Sequence, residues 1–306
     1  MGRPGAHAGG KSLVNSPFTC VDLHMHTTFS DGLLDPEALL QVAAGNGVQL
    51  CAVTDHDSVS GLPRATLAAR NLGVQLITGV ELSTTWHGRT LHVLGLGIDP
   101  DAASLTRLLS RLHELRRARA LAIAARLDKH GMPGSVILDR LSQCPVITRT
   151  HFARELVNRG HAKDTASAFS RWLAKGQPAN ASAEWPELAE TLRAILGAGG
   201  APVLAHPLRY TLSAGQRRTM VKEFAQGGGQ ALEVVVGGQS PSQTQTAVGL
   251  CLRADLEGSQ GSDCHDPALP WQRPGRLAKL PPAVTPIWHR WVDLHDSPAR
   301  PTRTAE

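Results

Sequence analysis

The sequence contains no apolar run approaching the roughly 18 residues that a membrane-crossing helix needs. Its opening segment, MGRPGAHAGGKSLVNSP, carries Arg3 and Lys11 but no apolar stretch of the kind a secretory signal requires. Both absences argue against a membrane or exported protein, and a cytoplasmic chain is expected. The five cysteines (Cys20, Cys51, Cys144, Cys251 and Cys264) form no CxxC pair and are odd in number. That disfavours a disulfide framework or a zinc knuckle built on cysteine, and it fits a reducing compartment. No internal repeat or low-complexity tract is present. A strong excess of one charge is missing too: 31 Lys and Arg stand against 26 Asp and Glu, a formal net charge of +5. This modest excess permits a phosphate-bearing substrate without demanding a nucleic acid.

The 306 residues suffice for one large domain, or for one domain with an insertion. FTCVDLHMH, residues 18–26, holds β-formers and runs into the polar loop TTFSDG, as a strand followed by a loop would. Pro36 then opens a helix with Leu39, Leu40, Ala43 and Ala44 on one face, and Gly45 and Gly47 end it. VQLCAVT, residues 48–54, predicts the next strand, and a helix near 61–71 and a strand at 74–78 repeat the rhythm. Such alternation predicts a parallel α/β core. Polar motifs follow the strands, at the end where a barrel builds its active site.

After Asp99-Pro100 the rhythm changes. Leu105, Leu108, Leu109, Leu112, Leu115, Ile123 and Leu127 recur at helical spacing, and Arg107, Arg111, Arg116, Arg117, Arg119 and Arg126 share the stretch. Solvated helix faces account for most of these arginines, while one or two could meet phosphate or RNA. Further helices are predicted at 151–160, 164–174 and 186–198, so that 100–195 reads as a helical insertion or lid. The α/β pattern resumes with the strand APVLAH (201–206), a helix at 216–226, the strand ALEVVV (231–236), a helix at 242–257 and a short strand before GSDCHDP. Residues 18–99 and 196–290 then form one domain, with tails at 1–17 and 291–306.

His24 and His26 lie one residue apart in a strand-like segment, so both side chains point the same way and could clasp a transition metal. Asp22 precedes them and Asp31 follows. Asp55-His56-Asp57 comes directly after an apolar strand, where charge is costly to bury without partners. Glu81 ends LITGVE, His92 lies in LHVLGLG, His206 follows VLA, and Asp263 and His265 form a second pair spaced by one residue. Each has an ordinary structural explanation alone: a core histidine, a solvated turn, a cap. Together His24, His26, Asp31, His56, Glu81, His92, His206, Asp263 and His265 are better explained by one mixed nitrogen and oxygen metal cluster. That donor set suits zinc, manganese or iron better than calcium or magnesium alone.

The ordered strings DLHMHTTFSDG, TDHDSVSG, GVELS, HVLG, LAHP and GSDCH resemble those of the polymerase-and-histidinol-phosphatase (PHP) superfamily of metal-dependent phosphoesterases, over residues 18–99 and 200–266. The resemblance implies a distorted seven-stranded (β/α) barrel, here with an inserted helical lid, and three divalent ions, manganese first with zinc or iron as alternatives. It implies His24, His26, Glu81 and Asp263 for one ion, Asp31 and His56 with bridging Glu81 for a second, and His92, His206 and His265 for a third group. Asp31, His56, Glu81, His206 and His265 become the catalytic candidates, and Asp57 a support for the metal shell. Many relatives carry His where this chain has Asp31, which marks a subgroup.

ITRTHFARELVNRG and AFSRWLAKG resemble the small PHP enzymes that act on nucleoside 3′,5′-bisphosphates and on the 5′ end of short RNA. The implied reaction removes the 3′-phosphate to leave a 5′-monophosphate, and releases 5′-mononucleotides from 5′-phosphorylated RNA. Arg149, His151 and Arg209 are the substrate-binding candidates. No DNA specificity is expected, and a monomer is. The alternatives are a phosphatase of another small metabolite, such as histidinol phosphate, and a nucleic-acid-binding accessory module. Trp271, Trp288 and Trp291 fit core packing, and would serve base stacking only if exposed near the site.

Overall fold

A computed structural model of the chain describes residues 18–295. The tail expected at 1–17 and residues 296–306 of the second lie outside the described residues. Residues Ile287–His295, by contrast, form a 3-10 helix, so helical backbone reaches into the segment read as tail.

Seven strands lie in chain order around one sheet: β1 (Val21–Asp22), β2 (Leu50–Val53), β3 (Gln75–Trp86), β4 (Arg89–Leu96), β5 (Ala201–Leu204), β6 (Ala231–Val236) and β7 (Glu257–Gly261). The last returns beside the first. Leu23 N donates to Gln260 O at 3.0 Å and His26 N to Cys264 O at 2.9 Å, so the sheet is nearly closed into a barrel. β1 has only two strand residues, because the chain beyond Asp22 turns its backbone toward the loop after β7.

The sheet is mixed rather than parallel. β1, β2 and β3 are parallel, as are β5, β6 and β7, but β4 is antiparallel to both β3 and β5. The cause is a tight hairpin at His87-Gly88, where φ is +47° and +70°. A two-residue turn of that hand matches the twist of paired strands, and glycine takes the conformation without strain. Glu81 therefore sits in the middle of a 12-residue strand, not at its end.

Helices cover the outside. α1 (Pro36–Gly45) starts where Asp35 Oδ1 accepts from Ala38 N, with proline at its first position. α2 (Leu62–Leu72) packs its buried face, Leu62, Ala65, Ala68 and Ala69, into the same core. α3 (Ala103–Lys129) serves two cores. Leu105, Leu108, Leu109 and Leu112 belong to the barrel's apolar cluster. Ala120, Ile123, Ala124 and Leu127 belong to a second cluster with residues of α4 (Gly134–Arg140), α5 (Arg149–Asn158) and α6 (Thr165–Ala168). That second core draws on residues 120–181. α7 (Leu188–Gly197) packs Leu192 and Ile195 into the barrel. α8 (Ala214–Gln226) and α9 (Pro241–Arg253) complete the wall, and among the described residues no helix is long and apolar enough to cross a membrane.

Candidate metal centre

The candidate side chains converge because consecutive strands deliver them to one end of the barrel. His24 and His26 follow β1, Asp55 to Asp57 follow β2, His206 follows β5, and Asp263 and His265 follow β7. His92 comes from β4, opposite Ser83 of β3, which brings it beside Glu81. His206, Asp57 and Asp263 have left-handed φ values of +32°, +49° and +53°. Such conformations cost non-glycine residues about 1–2 kcal/mol each and cluster at functional sites. Close approach is also enforced: a Cβ on Gly261 would lie 2.2 Å from His24 Cβ and 2.8 Å from Glu233 Oε1.

Glu81 is fully buried at the centre. Its Oε1 lies 3.0 Å from both His92 Nδ1 and His206 Nε2, and its Oε2 lies 2.8 Å from His56 Nδ1 and 3.4 Å from His24 Nε2 and His26 Nε2. His24 Nε2 faces His26 Nε2 at 3.1 Å, and Asp263 Oδ1 lies 3.1 Å from the latter. His265 Nε2 meets Asp31 Oδ1 at 3.1 Å. Three overlapping sets have donor atoms within 4.8 Å of one another: His24, His26, Glu81 and Asp263; His26, Asp31, His56 and His265; and His56, Glu81 and His92. The first set is as the motifs suggest. His265 groups with Asp31 and not with His92 and His206, because Asp263-Cys264-His265 follows β7, the neighbour of β1.

These donors fit divalent ions. Asp31 Oδ1, Glu81 Oε2, His56 Nδ1 and His92 Nδ1 are buried and, despite these close approaches, none makes a hydrogen bond of good geometry among the described residues. An arrangement so short of partners is expensive unless a cation satisfies it. Burial alone would raise the three central carboxyls, but the imidazoles beside them hold them well below the usual range: His56 and His92 at Glu81, His265 and His56 at Asp31, His24 and His265 at Asp263. They are anionic donors. Burial, with His265 and His56 close by, pushes His26 down to about 3, which leaves it a neutral donor.

Among the residues that support the cluster, Glu233 escapes a sequence reading. Glu233, fully buried in β6, accepts from His24 Nδ1 at 3.0 Å through Oε1 and from His206 N at 2.7 Å through Oε2. It fixes the tautomer of His24 with Nε2 free to face the centre, as metal-binding histidines need. Its signal was a lone carboxylate inside the apolar run ALEVVV. Asp57 is not a ligand: Oδ1 accepts from Ser83 N at 2.7 Å and Oδ2 from Arg116 Nε at 2.6 Å. Asp55 accepts from Thr27 N, Thr27 Oγ1 and Ser30 Oγ, and so shapes the loop carrying Asp31. Tyr210, the sole tyrosine, donates to Ala205 O and accepts from His92 N.

Beside the cluster lies a cavity of about 80 Å³ lined by Asp31, His56, His92, Arg116, Arg119 and Arg149, among others. It adjoins a larger one of about 300 Å³ that shares Thr90, Arg119 and Arg149 and adds Arg89, Lys175 and Asn180. Arg116 is spent on Asp57, but Arg119 and Arg149 form no salt bridge among the described residues. Arg119 donates to Ala181 O, and Arg149 lies over the Phe169 ring. Burial, with Arg149 and Arg116 nearby, pulls Arg119 down to about 9, and burial with Arg116 lowers Arg149. Two half-buried cations that repel each other make a ready anion site.

The other substrate candidates stand differently. His151 accepts from Thr148 N through Nδ1 and closes the α5 capping box, so that nitrogen is committed to the fold. Thr148 Oγ1 meanwhile donates to Asp31 Oδ2 at 2.8 Å. Arg209 pairs with Asp263 Oδ2 and donates to Gly237 O, and it does not line Arg149's cavity. Arg119, one of six arginines between 107 and 126, carried no distinguishing signal in the sequence.

The family described as the PHP domain matches residues 22–191. An Escherichia coli protein named 5′-3′ exoribonuclease Rnm is 40% identical over 282 residues, covering 91% of this chain and 96% of its own. A Chromobacterium violaceum protein named 3′,5′-nucleoside bisphosphate phosphatase is 37% identical over 273 residues, covering 88% and 95%. Among solved structures, a Chromobacterium violaceum amidohydrolase holding sulfate and no metal superimposes with a TM-score of 0.84 at 36% identity, covering 90% of this chain and 96% of that one.

Proposed function

The chain belongs to the PHP family of metal-dependent phosphoesterases, and from that premise we propose that it removes the 3′-phosphate of nucleoside 3′,5′-bisphosphates and releases 5′-mononucleotides from 5′-phosphorylated RNA. The observation that carries the reading is the pair Arg119 and Arg149, cations without carboxylate partners in the cavity that Asp31, His56 and His92 also line.

His24, His26, Glu81 and Asp263 would hold one divalent ion, Asp31, His56 and His265 a second, and Glu81, His92 and His206 a third. Manganese is proposed first, with zinc or iron as alternatives; bound ions would supply Lewis-acid charge and a water acidic enough to attack phosphorus. Arg119 and Arg149 grip the 5′-phosphate, with bidentate geometry available to each guanidinium. The nucleoside occupies the adjoining cavity of about 300 Å³, near Thr90, Asn180 and Lys175. Held so, its 3′-phosphate faces the cluster. Water oxygen bonds to phosphorus, the bond from phosphorus to O3′ breaks, and O3′ leaves with a proton as the 3′-hydroxyl. A bisphosphate gives a 5′-monophosphate and phosphate. In RNA the same cleavage leaves the phosphate on the shortened chain, as the 5′-phosphate for another cycle.

The test is one assay of manganese-loaded protein on adenosine 3′,5′-bisphosphate, histidinol phosphate, and RNA with 5′-phosphate or 5′-hydroxyl. Nucleoside 5′-monophosphate from the bisphosphate and from the 5′-phosphorylated RNA is expected. Preference for histidinol phosphate would replace this reading with that of a metabolite phosphatase.

A further inference from the structure

Trp271 is the one tryptophan that the described structure leaves largely outside the core. It is 55% exposed, whereas Trp86, Trp185 and Trp288 are buried and Trp172 and Trp291 are half-buried. A single exposed ring is unremarkable by itself. This one is fastened to the metal centre. It sits in the short turn Pro270–Gln272, and the neighbouring Gln272 side chain accepts from His265 N at 3.2 Å and Asp266 N at 3.1 Å. The turn rests on the end of β6: a Cβ on Gly237 would lie 2.3 Å from Trp271 O, and one on Gly238 would lie 3.6 Å from Trp271 Cδ1. Gly237 O also accepts from Arg209 Nη2 at 3.1 Å, and Arg209 pairs with Asp263. An exposed indole, an exposed guanidinium and the ligand candidates Asp263 and His265 are thus joined through two glycines and one glutamine.

We propose that Trp271 is a stacking platform for the nucleobase just downstream of the scissile phosphate, with Arg209 supplying positive charge to the phosphates of the departing RNA chain. This deepens the proposed function and rests on it. Arg119 and Arg149 border the cavity by Asp31, His56 and His92, while Arg209 pairs with Asp263 and Trp271 directly precedes Gln272, whose side chain holds the backbone of His265. A phosphodiester lying over the cluster would have its 5′ nucleoside at the first pair and its 3′ nucleoside at the second. An indole face accepts any base, so the platform favours length of chain and not sequence. Nothing in a 3′,5′-bisphosphate reaches it. The ring therefore separates the two activities: it serves RNA and is idle on the mononucleotide.

The experiment compares kcat/KM of the manganese-loaded wild type, Trp271→Ala and Trp271→Phe on adenosine 3′,5′-bisphosphate, on a 5′-phosphorylated dinucleotide, and on the same dinucleotide with an abasic second ribose. Trp271→Ala is expected to lose roughly tenfold on the dinucleotide, the scale of one stacked base. It should stay near wild type on the bisphosphate and on the abasic substrate, and Trp271→Phe should recover most of the loss. Equal loss on dinucleotide and bisphosphate, or no loss on either, would overturn the platform. If wild type cleaves none of these substrates, the proposed function fails instead. The platform is then judged by equilibrium binding of a non-hydrolysable phosphonate-linked dinucleotide: weaker binding by Trp271→Ala supports it, and unchanged binding overturns it.

Discussion

Replacing Arg149 by alanine isolates the anion site from the metal cluster. Arg149 and Arg119 line the cavity beside Asp31 and His56, yet neither is among the metal-binding sets, and neither has a carboxylate partner in the described structure. A hydrogen bond to a charged group contributes about 1.5–3 kcal/mol. Losing one from the 5′-phosphate should lower kcat/KM on a 3′,5′-bisphosphate by roughly 10- to 150-fold. A generic aryl phosphate has no second phosphate to present, so its hydrolysis should change by no more than about twofold. Folding should not suffer, because removing Arg149 orphans no acid and relieves its repulsion of Arg119. Arg119→Ala should behave alike, and the double variant should show coupling between the two, as residues sharing one ligand do. The assay is steady-state kinetics on both substrates with thermal melts alongside. Equal losses on bisphosphate and aryl phosphate would refute the reasoning, because Arg149 would then be serving the reacting phosphate or the fold.

Three further outcomes follow from contacts around the cluster. Glu233→Gln keeps shape but turns an amide toward His24 Nδ1, which favours the tautomer with hydrogen on Nε2. Metal affinity by equilibrium dialysis should fall about 10- to 100-fold, and unchanged affinity would show that the carboxylate does not set the tautomer. Thr148→Val removes the bond to Asp31 Oδ2 and the α5 cap. Stability in urea should drop by about 1–2 kcal/mol, with Thr148→Ser restoring most of it; a neutral Thr148→Val would contradict both roles. Arg116→Ala strands the buried carboxylate of Asp57. It should cost about 3–5 kcal/mol in the same unfolding measurement, and Arg116→Met with Asp57→Asn should recover much of that; a loss below about 1 kcal/mol would mean that Asp57 finds another partner.

The sequence made the ligand candidates legible for a physical reason. A polar or charged group placed at the end of an apolar strand is costly, so His24, His56, His206 and Asp263 stood out as residues in need of partners. The same logic failed wherever a partner comes from a distant element. His265 could not be assigned to Asp31 from spacing, since their contact depends on β7 closing against β1. Glu233 hid inside a strand buried along its whole length, where alternation gives no hint of which face meets the histidines. The hairpin at His87-Gly88 was marked only by one glycine, and missing it turned β4 into an unassigned apolar run and the sheet into a parallel one. Arg119 could not be told from the other arginines of α3, because helical periodicity gives a face but not what lies opposite.

Asp31 shows what those distant contacts add. A carboxylate offers two oxygens with separate duties, and here Oδ1 meets His265 while Oδ2 accepts from Thr148. Thr148 is the residue that caps α5, and the next residue in the chain is Arg149. The link from Asp31 to Arg149 is thus one hydrogen bond and one peptide unit long. The helical core built on residues 120–181 need not be rigid as a whole to position Arg149; it needs only to present the start of α5. Aspartate in place of histidine at this position is then more than a change of ligand. Its Oδ2 is a second acceptor, which ties the start of α5 to the loop that carries Asp31.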